Sequence, residues 1–107
     1  MYLPHSEDAL VDPEKVTGYL LSSHHPDGRS RAAFFTAFGF RAEEWTVLAE
    51  ALMRHAADHA VSGVVQSAYG TRYSVDGELV TPDGRNPVVR SVWIIDADSA
   101  TPRLVTA

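Results

Sequence analysis

The hydrophobic period of this chain changes at Tyr69, and the change dictates a two-part fold. Before it, apolar residues recur every three or four positions. Ala42, Trp45, Leu48, Leu52 and Ala56 make one stripe of a helix over 42–59. After it, Tyr69, Thr71, Tyr73, Val75 and Leu79 alternate with Gly70, Arg72, Ser74, Asp76 and Glu78, the pattern of a strand with one apolar and one wet face. A second strand over Val88–Asp96 is apolar on both faces, and a third covers Arg103–Thr106, with turns at 81–85 and 96–102.

Two further helices precede the stripe. Asp12 caps, Pro13 takes the first helical position and Glu14 suits the positive end of the dipole, so a helix is predicted from Pro13 to about Leu21, burying Val16, Tyr19 and Leu20. Pro26 and Gly28 break it. The next helix covers 30–38, with Gly39 just past its end and Phe40 as a buried hook; Phe34, Phe35, Phe38 and Phe40 read as core rather than as a stacking platform. The sum is an α+β fold: two to three N-terminal helices packed on one face of a C-terminal antiparallel sheet of at least three strands. At 107 residues this is one domain, 1–107.

Composition excludes several chemistries. The chain has no cysteine, hence no disulfide framework, thiolate nucleophile or Cys-based metal site. It has no apolar run long enough to span a bilayer and no basic-then-apolar leader, which predicts a cytoplasmic protein with no membrane partner. The net charge of −5 disfavours random binding to nucleic acid, although residues 59–107 are nearly balanced and leave room for a local RNA site.

Three features can carry chemistry. The loop Ser22–Arg31 holds His24, His25, Asp27, Arg29 and Arg31; a helix start and two guanidinium groups suit an anion, and a histidine there can move a proton. The alternative is a loop shaped by Pro26 and Gly28, in which His25 bonds backbone. His24 is assigned to the surface. His55 and His59 share one helix face, but no third ligand has the spacing of a zinc site, and the preferred reading makes them partners of the helix dipole; no metal and no cofactor are assigned. Arg72, Arg90 and Arg103 lie on neighbouring strands, with Tyr73, Thr71 and Thr106 beside them. They line either a phosphate site or a set of cross-strand ion pairs with Asp76, Glu78 and Asp96, and mixed signs favour the pairs.

Leu3-Pro4, Tyr19-Leu20-Leu21-Ser22, His25-Pro26, Gly28-Arg29, Phe34-Phe35, Gly39-Phe40, Tyr69-Gly70, Tyr73, Gly84-Arg85, Val92-Trp93-Ile94 and Arg103-Leu104-Val105-Thr106 together resemble a bacterial domain-of-unknown-function family, number six-eight-eight-three, over nearly the whole chain. The resemblance implies small stand-alone bacterial proteins and domains at the C-terminal tips of secreted toxins. By fold it implies a likeness to metal-independent RNase toxins of the barnase-like and RelE-like kinds. The family's His-Pro falls on His25-Pro26 and its Gly-Arg on Gly28-Arg29. Arg31 stands where the family usually has Lys and cannot act as a base; Ser23 replaces a usual Pro and Asp27 a usual apolar residue. Two functions follow as expectations. One is a toxin-like metal-independent ribonuclease, with His25 in proton transfer, Tyr73 or Thr106 orienting the 2′-hydroxyl, and Arg29, Arg31 and Arg103 on the phosphate. The other is a non-catalytic protein-interaction module, antitoxin-, immunity- or regulator-like, whose partner is a cognate protein.

Overall fold

The computed structural model describes residues 1–107. Helix α1 is a short α segment, Pro13–Lys15, continued by one turn of π-helix, Val16–Leu20; α2 covers Arg29–Ala37 and α3 Trp45–Asp58. Four strands follow: β1 Val61–Ser67, β2 Gly70–Glu78, β3 Val88–Asp96 and β4 Pro102–Thr106. They form one antiparallel sheet in the order β1-β2-β3-β4.

The helices cover one sheet face. Val16, Leu20, Phe35, Leu48 and Leu52 join Val75, Trp93 and Leu104 in a single core. Register explains the choice of face, because Val75 stands opposite Ser91 and Trp93 opposite Leu104. The other face carries Arg72, Asp76, Arg90, Ile94, Asp96 and Arg103. Ile94 is buried there although it lies outside the core cluster, in a row with Arg72 and Arg103 as its cross-strand partners.

Local chemistry sets the helix ends. Asp12 caps α1 by accepting the Glu14 N–H at 2.9 Å. In the wide turn Leu21 N–H reaches back five residues to the Val16 carbonyl at 2.8 Å. The extra residue lets Val16, Leu20 and Leu21 all bury, while Tyr19 is only half-buried. At the end of α2, Phe40 N–H bonds Phe35 O and Gly39 N–H bonds Thr36 O, with the Phe35 and Phe40 rings 6.1 Å apart: a Schellman motif closed by its apolar contact. Gly39 has φ +100°, and a Cβ there would press on Pro82. Gly39→Ala is expected to lower stability by about 1–2 kcal/mol in a denaturant titration, and an unchanged midpoint would refute this.

Three sequence expectations are corrected. The first strand does not begin at Tyr69, which sits in a hairpin turn and is 83% exposed. An additional strand, β1, precedes it. Its sequence, VSGVVQS, lacks sustained alternation because only its start, at Val61, packs on the core; past Gly63 both faces are uncovered, and Val64 and Val65 are both exposed. The stripe of α3 begins at Trp45, not at Ala42, which lies in a 3₁₀ turn over Ala42–Glu44 and is exposed. Of the four phenylalanines, Phe35 and Phe40 are buried, whereas Phe34 is exposed.

The N-terminal segment closes the sheet at both margins. Met1 O accepts Val61 N–H at 2.7 Å beside β1. Leu10 forms a parallel bridge with Arg103 on β4.

Candidate functional site

Tyr19 is the point where distant parts of the chain meet. Its hydroxyl lies 3.1 Å from Thr106 Oγ1, across 87 residues of sequence. Its ring meets the His25 ring edge-on at 5.1 Å. Two cations approach the same ring, Lys15 Nζ at 5.4 Å and Arg31 Cζ at 5.3 Å from its centroid. Arg31 is held in place by the Asp27 carbonyl at 3.0 Å and a backbone oxygen of Ala107 at 3.2 Å. Asp12, Glu14, Lys15, Gly18, Tyr19 and His25 line an open cleft of about 420 Å³.

The loop that carries His25 is tightly wired. Ser22 Oγ accepts the N–H groups of His24 and His25. His25 Nδ1 accepts the backbone N–H groups of Asp27 at 3.0 Å and Gly28 at 3.1 Å. Two donors aimed at Nδ1 place the neutral ring's proton on Nε2, which makes no bond within the chain, and the residue lines the cleft. Gly28 is buried with the Tyr19 carbonyl against it; a Cβ there would stand 2.1 Å from that oxygen.

The other candidates lie elsewhere. Arg29 and Arg31 are two positions apart on α2, about 200° around the helix. Arg29 therefore lines a different cleft, with Ser23, Phe40, Arg41 and Glu43. Arg103 is on the outer sheet face, where Asp96 takes its guanidinium at 2.9 and 3.2 Å; Arg90 is likewise held by Asp76 at 2.8 and 3.0 Å. These pairs hold the Asp76 and Asp96 carboxyls below their ordinary value. Tyr73 is half-buried beside the core on β2, two strands from Thr106. His55 and His59 spend Nε2 on the carbonyls of Gly77 and Glu78, at 3.0 and 2.9 Å, and so tie α3 to β2.

Lys15, Tyr19 and Glu14 are the members of this cleft that the sequence reading passes over. Tyr19 falls in the helical pattern of Val16 and Leu20 and reads as core. The available signal is Lys15, the only lysine, four positions before a tyrosine whose ring faces it.

These features define a class: an α+β domain whose helical layer meets the last strand at Tyr19, beside a cleft that sets Lys15 and His25 among the Asp12 and Glu14 carboxylates. The chain belongs to the family described as Domain of unknown function (DUF6883), whose model matches residues 2–107. Its fold is that of a chain in the contact-dependent growth inhibition toxin–immunity protein complex from Klebsiella pneumoniae 342. The two align over 94% of this chain and 92% of that one, with a TM-score of 0.73 and 20% sequence identity. No curated protein matches the chain in sequence. None of its helices is long and apolar enough to cross a membrane.

Proposed function

We propose that this chain is a toxin-like, metal-independent ribonuclease acting at the Tyr19 cleft. The observation that carries the reading is the convergence on Tyr19 of Lys15, His25, Arg31 and Thr106 from α1, the following loop, α2 and β4. The fold shared with a chain of a toxin–immunity complex suits a member of such a pair, toxin or immunity protein alike.

Cleavage without a metal needs charge on the phosphate, a base for the 2′-hydroxyl and an oriented nucleophile. Lys15 and Arg31 supply the charge, and the His25 Nε2–H adds a donor. Because Nδ1 is committed to backbone, proton acceptance falls to the Glu14 carboxylate, which lines the same cleft. Thr106 orients the 2′-hydroxyl, whose oxygen attacks phosphorus as the bond to the 5′-oxygen breaks. The products are a 2′,3′-cyclic phosphate and a 5′-hydroxyl protonated by solvent. Arg29, Arg103 and Tyr73 have no part in this step.

Purified protein is expected to cut tRNA or total RNA in the presence of a chelator, with Glu14→Gln and Arg31→Gln each slowing cleavage by about 100-fold or more. Variants that cut as fast as the parent would remove the site. A parent that cuts nothing would remove the ribonuclease reading.

A second reading has its own observation. The wired His25 and the uncharged edge of β1 beyond Val61, where Met1 does not reach, suit a non-catalytic, immunity- or antitoxin-like protein that pairs with a cognate protein. An inert parent that captures one neighbour-encoded protein with 1:1 stoichiometry would establish it.

A further inference from the structure

We infer that the cleft between α2 and the start of β3 is a nucleobase subsite, next to the phosphate site proposed above and dependent on that reading. It measures about 420 Å³ and is lined by Ser30, Arg31, Phe34, Val88, Val89 and Ala107. Its walls include two apolar side chains that the core does not use. Phe34 is 39% exposed and Val88 72% exposed. The Phe34 ring is braced edge-on by Phe35 at 5.3 Å and tilted against Phe38 at 5.0 Å, so it presents a firm flat face.

Arg31 joins this cleft to the first one. It lines the apolar cleft while its guanidinium stands 5.3 Å from the Tyr19 ring centroid. A ligand that spans Arg31 meets the Lys15 and Arg31 cations, beside the Glu14 and Asp12 carboxylates, at one end and the Phe34 and Val88 side chains at the other. A nucleotide suits both ends, with its phosphate at Lys15, His25 and Arg31 and its base against Phe34 and Val88. Unstacked bases of single-stranded RNA are held this way, on aromatic faces beside cations. The Ser30 hydroxyl offers the polar contact that can read a base edge.

The test compares adenosine 5′-monophosphate with ribose 5-phosphate, which lacks the base, by calorimetry or by chemical-shift titration. The parent is expected to bind the nucleotide at least about 10-fold more tightly, in line with stacking of one base. Phe34→Leu keeps apolar packing but removes the ring face. It is expected to shrink that advantage to under about 3-fold and leave ribose 5-phosphate binding unchanged. Val88→Ser, at an exposed position, is expected to act in the same direction, and Arg31→Gln to weaken both ligands together. Equal binding of the two ligands by the parent overturns the base subsite while the phosphate site stands. A full advantage retained in both Phe34→Leu and Val88→Ser does the same. Binding of neither ligand overturns the subsite and the phosphate site alike.

Discussion

Replacing His55 with alanine is expected to cost the fold about 3–4 kcal/mol, and to abolish a loss of stability that the parent shows as pH falls below about 6.5. His55 is buried under the sheet in a closed relay. Trp93 Nε1–H donates to Ser91 Oγ at 2.9 Å, and the Ser91 hydroxyl donates to His55 Nδ1 at 2.9 Å. His55 Nε2–H then donates to the carbonyls of Gly77 and Val89 at 3.0 and 3.2 Å. Every polar atom is satisfied only while the ring is neutral, with its proton on Nε2. Truncation leaves a cavity together with unpaired groups on Ser91, Gly77 and Val89. The acid dependence follows from the same burial.

Desolvation pushes the His55 imidazole below its ordinary 6.5, against the pull of the Gly77 carbonyl; His59 adds repulsion, while Val89 O and Asp76 oppose it. The unfolded chain therefore takes up a proton at a higher pH than the folded one. Stability is fully present above about 6.5 and falls as pH drops toward the folded value. The Asp76 and Asp96 carboxyls, held below 3.8 by Arg90 and Arg103, titrate beneath this window. Denaturant titrations of parent and His55→Ala at pH 7.5 and 5.2 check this. A parent with equal stability at both values, or a variant that keeps the difference, would show that His55 is not the titrating group.

Gly28→Ala is expected to damage the site and the fold together. The glycine needs no unusual φ. Its requirement is space, because the added methyl would overlap the Tyr19 carbonyl, which is backbone and cannot swing aside. The loop must lift from the π turn, and His25, whose Nδ1 is bonded to Gly28 N–H, lifts with it. Overpacking of this kind costs about 2–3 kcal/mol. Misplacement of a positioned donor by about 1 Å is expected to slow the RNA cleavage proposed above about 100-fold. The two effects separate by adding osmolyte. A variant restored in melting temperature but still slow identifies a positional defect; one restored in both would reduce the effect to stability alone.

Periodicity made the layered fold legible, since each helix and three strands bury a face that repeats at the proper spacing. It failed where a residue's neighbours lie far away in sequence. Tyr19 reads as core because Val16 and Leu20 frame it, yet the π turn shifts its register and its hydroxyl bonds Thr106. Arg29 and Arg31 read as one clamp because they are adjacent on paper; a helix sends them to different clefts. Arg31 is positioned in part by Ala107, 76 residues away, a link with no local trace. Arg103 was visible as a charge near the end of the chain, but strand alternation turns it to the face opposite the core-facing Leu104. The loop's own wiring was more accessible, because Pro26 and Gly28 announce a turn that brings backbone N–H groups onto His25.

Chain ends are usually the first parts of a domain to fray. Here the first ten residues run as a belt from one sheet margin to the other, buckled to Val61 at Met1 and to β4 at Leu10, where Leu104 N–H returns a bond of 3.0 Å. Leu3 and Ala9 are buried along the way. The exposed part of the belt is the Ser6–Asp8 turn and its flanks. A protease nick at that turn would release the Met1 buckle on β1 while Leu10, still joined to the rest of the chain, keeps its bonds to β4, so the two sheet margins would loosen one after the other and not together.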